Sequence, residues 1–352
     1  MGWWPTVVKS RAEPWVFLEL EAAHALPELP RGPVVVDEHY LHIRLQAMRL
    51  PFQRRWTSTY HASLNSYVRL EHGGPPPGEF LLTTSPAQLR SIGAGDRRRI
   101  AMGPTRLAGP VPYPGGGLEL EIGLFAVKDR DLAGPYLDFL QSLGETAGVS
   151  YVGAAVHLIR PLQQGLAGLL GLADTTLEAG AARTIDPVRT GVFAVLAITR
   201  DQLGERRPRL VDDTLCWSDS TPVDDIAYVI FSIETSIHRT DWRTVPGLAE
   251  AYTDLAAAVR DDRYPDVAER LSRLRRTAVL SPDLTSPDAD TIIAHVTAMI
   301  DRSFAASGQS TVPRQIPPLA ELELFPAAPD EPANHDIRTP RLQRSSPAEQ
   351  RV

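Results

Sequence analysis

A single cysteine, Cys216, excludes an intrachain disulfide and any metal cluster built on cysteine thiolates, and it fits a reducing cytoplasm. Lysine is almost as scarce. Lys9 and Lys128 are the only two, so nearly all the positive charge is arginine. With abundant Ala, Pro and Gly, that bias reads as the codon usage of a GC-rich bacterial genome. The net charge of -7 argues against a dedicated nucleic-acid surface. Long apolar runs are missing too. The most membrane-like window, 153–172, is broken by His157, Arg160, Pro161, Gln163 and Gln164, so no transmembrane segment is expected. MGWWPTVVKSR carries neither a basic leader nor a sustained apolar stretch, so no signal peptide is expected, and its loose match to an N-myristoylation pattern reads as chance. Also missing are GxxxxGK[ST], GxGxxG after a strand, HExxH, GxSxG and the EF-hand loop. Those absences remove the commonest nucleotide, zinc-protease and hydrolase readings, and the sequence implies no cofactor.

What is present is a chain of 352 residues, 43% hydrophobic and 22% charged, long enough to bury a sizeable core. Its organising stretch begins at Leu118. Leu118, Leu120, Ile122 and Leu124 alternate with Glu119, Glu121 and Gly123, the period of a strand with one face on a core. Helical spacing follows over 131–172. Two later runs, Val192–Ile198 and Ile226–Ile233, are continuously apolar, as expected for strands buried on both faces, and they supply the partner layer. Ile122, Leu124, Val195, Ile198, Val229 and Phe231 are expected to share one core.

Upstream, Trp15–Glu21, Leu41–Ala47, Thr57–Glu71 and Glu79–Thr84 read as strands, with breaker-rich loops at Gly73–Gly78 and Gly109–Gly117. After Trp242 the pattern is helical: Leu248, Tyr252, Leu255 and Val259, then Val267, Leu271 and Leu274. A last helix opens with Ser286 as N-cap, Pro287 at its first position, and Asp288 and Asp290 in its first turn. The fold class is therefore α+β: a β-sandwich-like or mixed-sheet body over 1–240 with helices inserted at about 131–172, a helical subdomain over 241–306, and a Pro-rich tail over 307–352 expected to be disordered.

Candidate chemistry is sparse. Glu234, His238 and Asp241 follow one another at the end of a buried strand, where acid–base groups can gather; the alternative is an ion pair and a cap. Cys216 could be a nucleophile with His238 nearby in space, or simply a small buried residue. Asp212, Asp213, Asp219, Asp224 and Asp225 fill one connection and could bind calcium in a peripheral-membrane sandwich, or form a solvated acidic loop. Arg97–Arg99 and the arginines of 263–276 are basic groups, the latter interleaved with acids as on a mixed-charge outer face. Within the tail, Leu319, Leu322, Leu324 and Phe325 form an apolar island between prolines. Its alternation suggests a partner-binding segment that adds as a strand to a sheet edge, in cis or in trans. The leading functional expectation is a non-catalytic bacterial cytoplasmic interaction or assembly module with a protein partner. An enzyme using Glu234, His238 and Asp241 and a calcium-responsive sandwich are the alternatives.

Overall fold

The computed structural model describes residues 3–4, 8, 14–20, 32–52, 54–55, 58–70, 78–83, 99–100, 105–128, 175–211, 214–261, 264–305 and 315–325. The expected inserted helices at 131–172, residues 73–77 of the expected turn, Arg97, Arg98, Asp212 and Asp213 lie outside them.

The architecture is α+β, with every described strand pairing antiparallel. The first sheet runs β1 (Val16–Leu20), β10 (Gly191–Leu196), β13 (Tyr228–Ser236), β2 (Tyr40–Arg49). The far edge of β2 is shared by β6 (Arg99–Ile100) and β7 (Thr105–Pro112). The second sheet runs β3 (Arg54–Arg55), β4 (Ser58–Leu70), β8 (Leu118–Lys128), β9 (Thr176–Ile185), and β5 (Gly78–Thr83) pairs with β4. Alternate residues of the two sheets interdigitate in one core. Leu41, Ile43, Leu45, Val195, Val229 and Phe231 come from the first sheet, and Leu64, Val68, Leu120, Ile122 and Leu124 from the second. The two late apolar runs thus face the organising strand β8 across the sandwich and do not neighbour it in the ladder.

Those runs are buried on both faces. The outer face of β10 and β13 carries Val192, Ala194, Leu196, Tyr228 and Ile230, and Ile198 belongs here, not to the shared core. Its cover is the polar connection itself. Helix α1 (Arg200–Leu203) and the hairpin β11 (Arg209–Val211)–β12 (Thr214–Cys216) lay Leu203, Leu210, Leu215, Trp217 and Val223 on the sheet. On the opposite outer face, Trp3 and Trp4 pack over β8 and β9. Gly123 and Gly180 are register partners there, and a Cβ on either would sit 2.7 Å from an indole carbon.

Gly109–Pro112, expected as loop, is strand. The register of β7 against β2 shifts between Leu41 and Ile43, and Gly109 sits at that irregularity with φ +93°.

Helices α2 (Leu248–Arg260), α3 (Tyr264–Val279) and α4 (Ser286–Ala305) form a second core from Leu248, Tyr252, Leu255, Val259, Leu274, Ile292 and Val296. Arg273 on α3 pairs with Glu250 and Asp254 of α2, as a mixed-charge face should. Helix α4 begins one residue earlier than expected: Ser286 is already helical, and Thr285 precedes it. Among the described residues no helix is long and apolar enough to cross a membrane.

The tail is corrected in the form of its docking: the apolar island is seated in cis, but not as an added strand. Residues 315–325 are seated on this second core: Ile316 and Leu322 are buried, and Leu319, Leu324 and Phe325 pack beside them. The segment is a single 3-10 turn at Leu319–Glu321 between extended residues, and it adds to no sheet. The rest of the tail lies outside the described residues.

Candidate functional site

Strand β13 ends at Ser236, and the chain must then turn from the sandwich to the helices. The residues that make this turn converge on Asp288, in the first turn of α4 and fully buried. One carboxylate oxygen, Oδ1, lies 2.8 Å from His238 Nδ1. The other accepts from the Tyr40 hydroxyl at 2.8 Å and from the Arg239 backbone N–H at 2.9 Å. The same tyrosine hydroxyl accepts from the Thr285 N–H at 2.9 Å, so it bridges the start of β2 to the start of α4. Burial, and then the Asp288 charge, push the Tyr40 phenol far above its ordinary range, so it stays protonated and keeps donating. The helix N-terminus adds its partial positive charge beneath the carboxylate.

Arg239 is the second fastener. Its guanidinium is wholly buried: Nε donates to Asp241 Oδ1 at 2.8 Å, and Nη1 donates to the carbonyls of Pro110 on β7 at 3.0 Å and Asp283 before α4 at 3.2 Å. One side chain therefore joins sandwich, loop and helical unit, which suits the rigid five-donor fork of arginine.

A polar row runs along the outer face of β2 and β13. Glu234 Oε1 accepts from Ser232 Oγ at 2.5 Å and from Gln46 Nε2 at 3.2 Å, while Oε2 lies 3.2 Å from Arg44 Nε. His42 Nε2 is 2.8 Å from Ser236 Oγ, and that hydroxyl donates onward to the His238 carbonyl at 3.0 Å. Since the hydroxyl proton is spent there, Nε2 must be the donor. Burial, followed by the charges of Arg44, Arg106 and Arg239, holds the His42 ring down at about 3. The ring is neutral when folded and titrates near 6.5 when unfolded. Between those values the unfolded chain binds one more proton, so this group removes stability as pH falls below about 6.5. His42→Gln should flatten the urea-denaturation stability profile between pH 7 and pH 5, where the wild type loses up to about 1.4 kcal/mol per pH unit from this residue.

The sequence candidates thus separate. Glu234 belongs to the outer row, His238 to Asp288, and Asp241 to Arg239, with a longer approach of 3.9 Å to Arg106. Two open clefts lie elsewhere. One of about 770 Å³ involves Leu203, Arg206, Arg207 and Arg209; the other, of about 610 Å³, involves His295, Met299, Arg302 and Ile316. Neither is lined by Glu234, His238 or Asp241.

Cys216 is buried in the hairpin over the first sheet. Asp219 accepts from both the N–H and the hydroxyl of Thr221, an Asx-type turn that lowers its pKa; Asp224 pairs with Arg49 at 2.8 Å; Asp225 is exposed. Among the described residues no three His, Cys, Asp or Glu side chains gather as a metal site would require.

The remaining candidates, Leu319, Leu322, Leu324 and Phe325, are brought together with residues that sequence reasoning missed. Phe325 stacks on the His238 ring, with centroids 4.7 Å apart and planes 14° from parallel, and meets Trp242 edge-on at 6.4 Å. The Tyr252 hydroxyl donates to the Pro317 carbonyl at 2.6 Å, and Arg243 Nη1 donates to the Ala320 carbonyl at 2.5 Å. Burial pushes the Tyr252 phenol up to about 12, so that donor persists at physiological pH. The aromatic and basic residues Trp242, Arg243 and Tyr252 thus form a seat for one extended segment, and its outermost ring rests on the histidine that Asp288 orients. The missed signal was the period. Ile316, Leu319, Leu322 and Phe325 recur every third residue, whereas a strand would need every second.

No family model, no curated protein and no solved structure matches this chain. What it does must be read from its own residues.

Proposed function

We propose that the chain is a non-catalytic interaction or assembly module of a bacterial cytoplasm. The helical unit, clasped to the sandwich through Asp288 and Arg239, contacts a protein partner on the face that carries residues 315–325. One observation carries the reading: a short apolar segment lies along the surface of the helical core, held by two main-chain carbonyls and by apolar side chains, which is how proteins hold peptides. The separate commitments of Glu234, His238 and Asp241 favour this reading over an acid–base site. The arginine-rich, single-cysteine composition supports the bacterial cytoplasmic setting. The net charge of -7 favours a protein partner over nucleic acid.

A photo-crosslinking residue at Arg302, exposed beside the segment, tests it against the same residue at Asp201, exposed on α1. In cells that express the chain, a discrete adduct with another protein should form from position 302 and not from 201. Adducts confined to the chain itself, or equal at both positions, overturn the proposal.

A further inference from the structure

The seat of residues 315–325 is read by periodicity. Ile316, Leu319, Leu322 and Phe325 meet the helical core at three-residue spacing, Ile316 and Leu322 buried and the other two packed against it, and Leu324 packs on the same core outside that series. The two carbonyls held by the helical unit, on Pro317 and Ala320, are also three residues apart. A three-residue repeat belongs to polyproline II and to 3-10 geometry. The backbone follows it: Pro318 has φ −56° and ψ 145°, and the 3-10 turn comes next. The groove supplies what such a backbone needs. A tyrosine hydroxyl reaches the Pro317 carbonyl of the extended part and a guanidinium the Ala320 carbonyl of the turn, while Trp242 and the His238 ring pack on the aromatic end. Charge agrees as well. The segment carries Glu321 and Glu323, and the surrounding surface carries Arg243 and Arg302.

We propose that the groove between α2, α4 and the 242–244 turn is a peptide-recognition site, and that residues 315–325 are its built-in ligand. The partner it fits is a short acidic segment with prolines near its start, apolar residues at every third position and an aromatic at its end. Such a partner binds by displacing the chain's own segment. The inference rests on the interaction-module reading and adds to it the site, the ligand chemistry and the regulation.

Tethering places the internal segment at an effective concentration on the order of mM, so free peptide competes poorly with it. Fluorescence anisotropy of a labelled peptide of residues 315–325, titrated with full-length chain, therefore needs a weakened plug. Leu322→Asp puts a charge where the segment is buried, and it should bind the free peptide at least about tenfold more tightly than wild type does. Adding Tyr252→Phe, which deletes the donor to the first carbonyl, should lower that affinity about five- to tenfold. A peptide of the same composition with its apolar residues moved to alternate positions should not bind.

Absence of saturable binding to a folded Leu322→Asp chain overturns the proposal, and so does equal binding of the rearranged peptide. If Leu322→Asp fails to fold, hydrogen exchange of the wild type decides. Amides at 319–325 that open well before those of α2 and α4 support a detachable ligand; opening only together with the helices makes the segment ordinary core and overturns it. A concentration-dependent dimer abolished by Leu322→Asp, with no peptide binding by that variant, assigns the groove to a second copy and overturns the partner. Failure of the photo-crosslink with intact peptide binding would remove the proposed functional role and leave the recognition site, so the two failures are distinguishable.

Discussion

Asp288→Ala is expected to destabilise the protein by about 3–5 kcal/mol in urea denaturation, far more than an ordinary acidic residue in the first turn of a helix. A solvated first-turn carboxylate contributes a few tenths to about 1 kcal/mol through the helix dipole. This one is fully buried and accepts from the Tyr40 hydroxyl and the Arg239 N–H while facing His238. Truncation leaves two buried donors without their acceptor at once, at about 1–3 kcal/mol each. Asp288→Asn keeps one carbonyl oxygen for the Tyr40 and Arg239 donors but sets an uncharged amide against His238 Nδ1, so it should lose about half as much. The damage should be local first. Exchange of amides at the start of α4 should rise in both variants before that of β8, because Asp288 fastens the helical unit to the sandwich and touches neither core centre. A loss under about 1 kcal/mol for Asp288→Ala would return this residue to the role of an ordinary dipole charge.

Gly109→Ala should cost at least about 3 kcal/mol, and the lever is backbone against backbone. Gly109 has φ +93°, and an added Cβ would stand 2.1 Å from the Leu41 carbonyl oxygen, inside any permitted contact. Neither strand can retreat cheaply. The β2 side is buried on the shared core, and the next residue of β7, Pro110, lends its carbonyl to Arg239. Gly204→Ala is the control: it also has positive φ, at +55°, but its nearest neighbouring atom is 3.9 Å away. That variant should cost only the backbone strain of φ +55° with ψ −130°, about 1–3 kcal/mol, with no clash added to it. Similar midpoints for the two variants would show that the bulge between β2 and β7 relaxes freely.

Both expectations rest on features that a linear reading describes poorly. Asp288 was legible as a helix-start residue, since Pro287 and the acidic first turn mark the spot. Its burial was not, because Tyr40 approaches from the other end of the chain. The breaker-rich composition of Gly109–Gly117 signalled a loop. The structure keeps the first part as strand because a bulge can absorb a glycine at positive φ within a ladder. Ile198 looked equivalent to Val195, yet an odd separation along a strand direction puts the two on opposite faces, and the core on the outer face of the first sheet exists only because the polar connection folds back over it.

The candidate site divides in the same way. Glu234, His238 and Asp241 are close in sequence, but strand alternation and the turn after Ser236 send each toward a different neighbour. The island at Leu319–Phe325 was visible as an apolar run between prolines. Its partner surface was not, and the wrong period followed: alternation was sought where the bound geometry repeats every third residue.

By itself the sequence determined the local terms: which runs alternate, which are apolar throughout, where helices begin, and that the fold is α+β. Those are set by side-chain periodicity and turn chemistry over a few residues. Only the tertiary structure decided what faces what. It placed β8 opposite the β10–β13 layer, laid an acidic connection over the outer face of the first sheet, drew Tyr40, His238 and Arg239 onto one carboxylate, and seated residues 315–325 on the helices. Each of those outcomes joins groups far apart in the chain, and their free energy comes from burial and hydrogen bonds that exist only once both sides are in place.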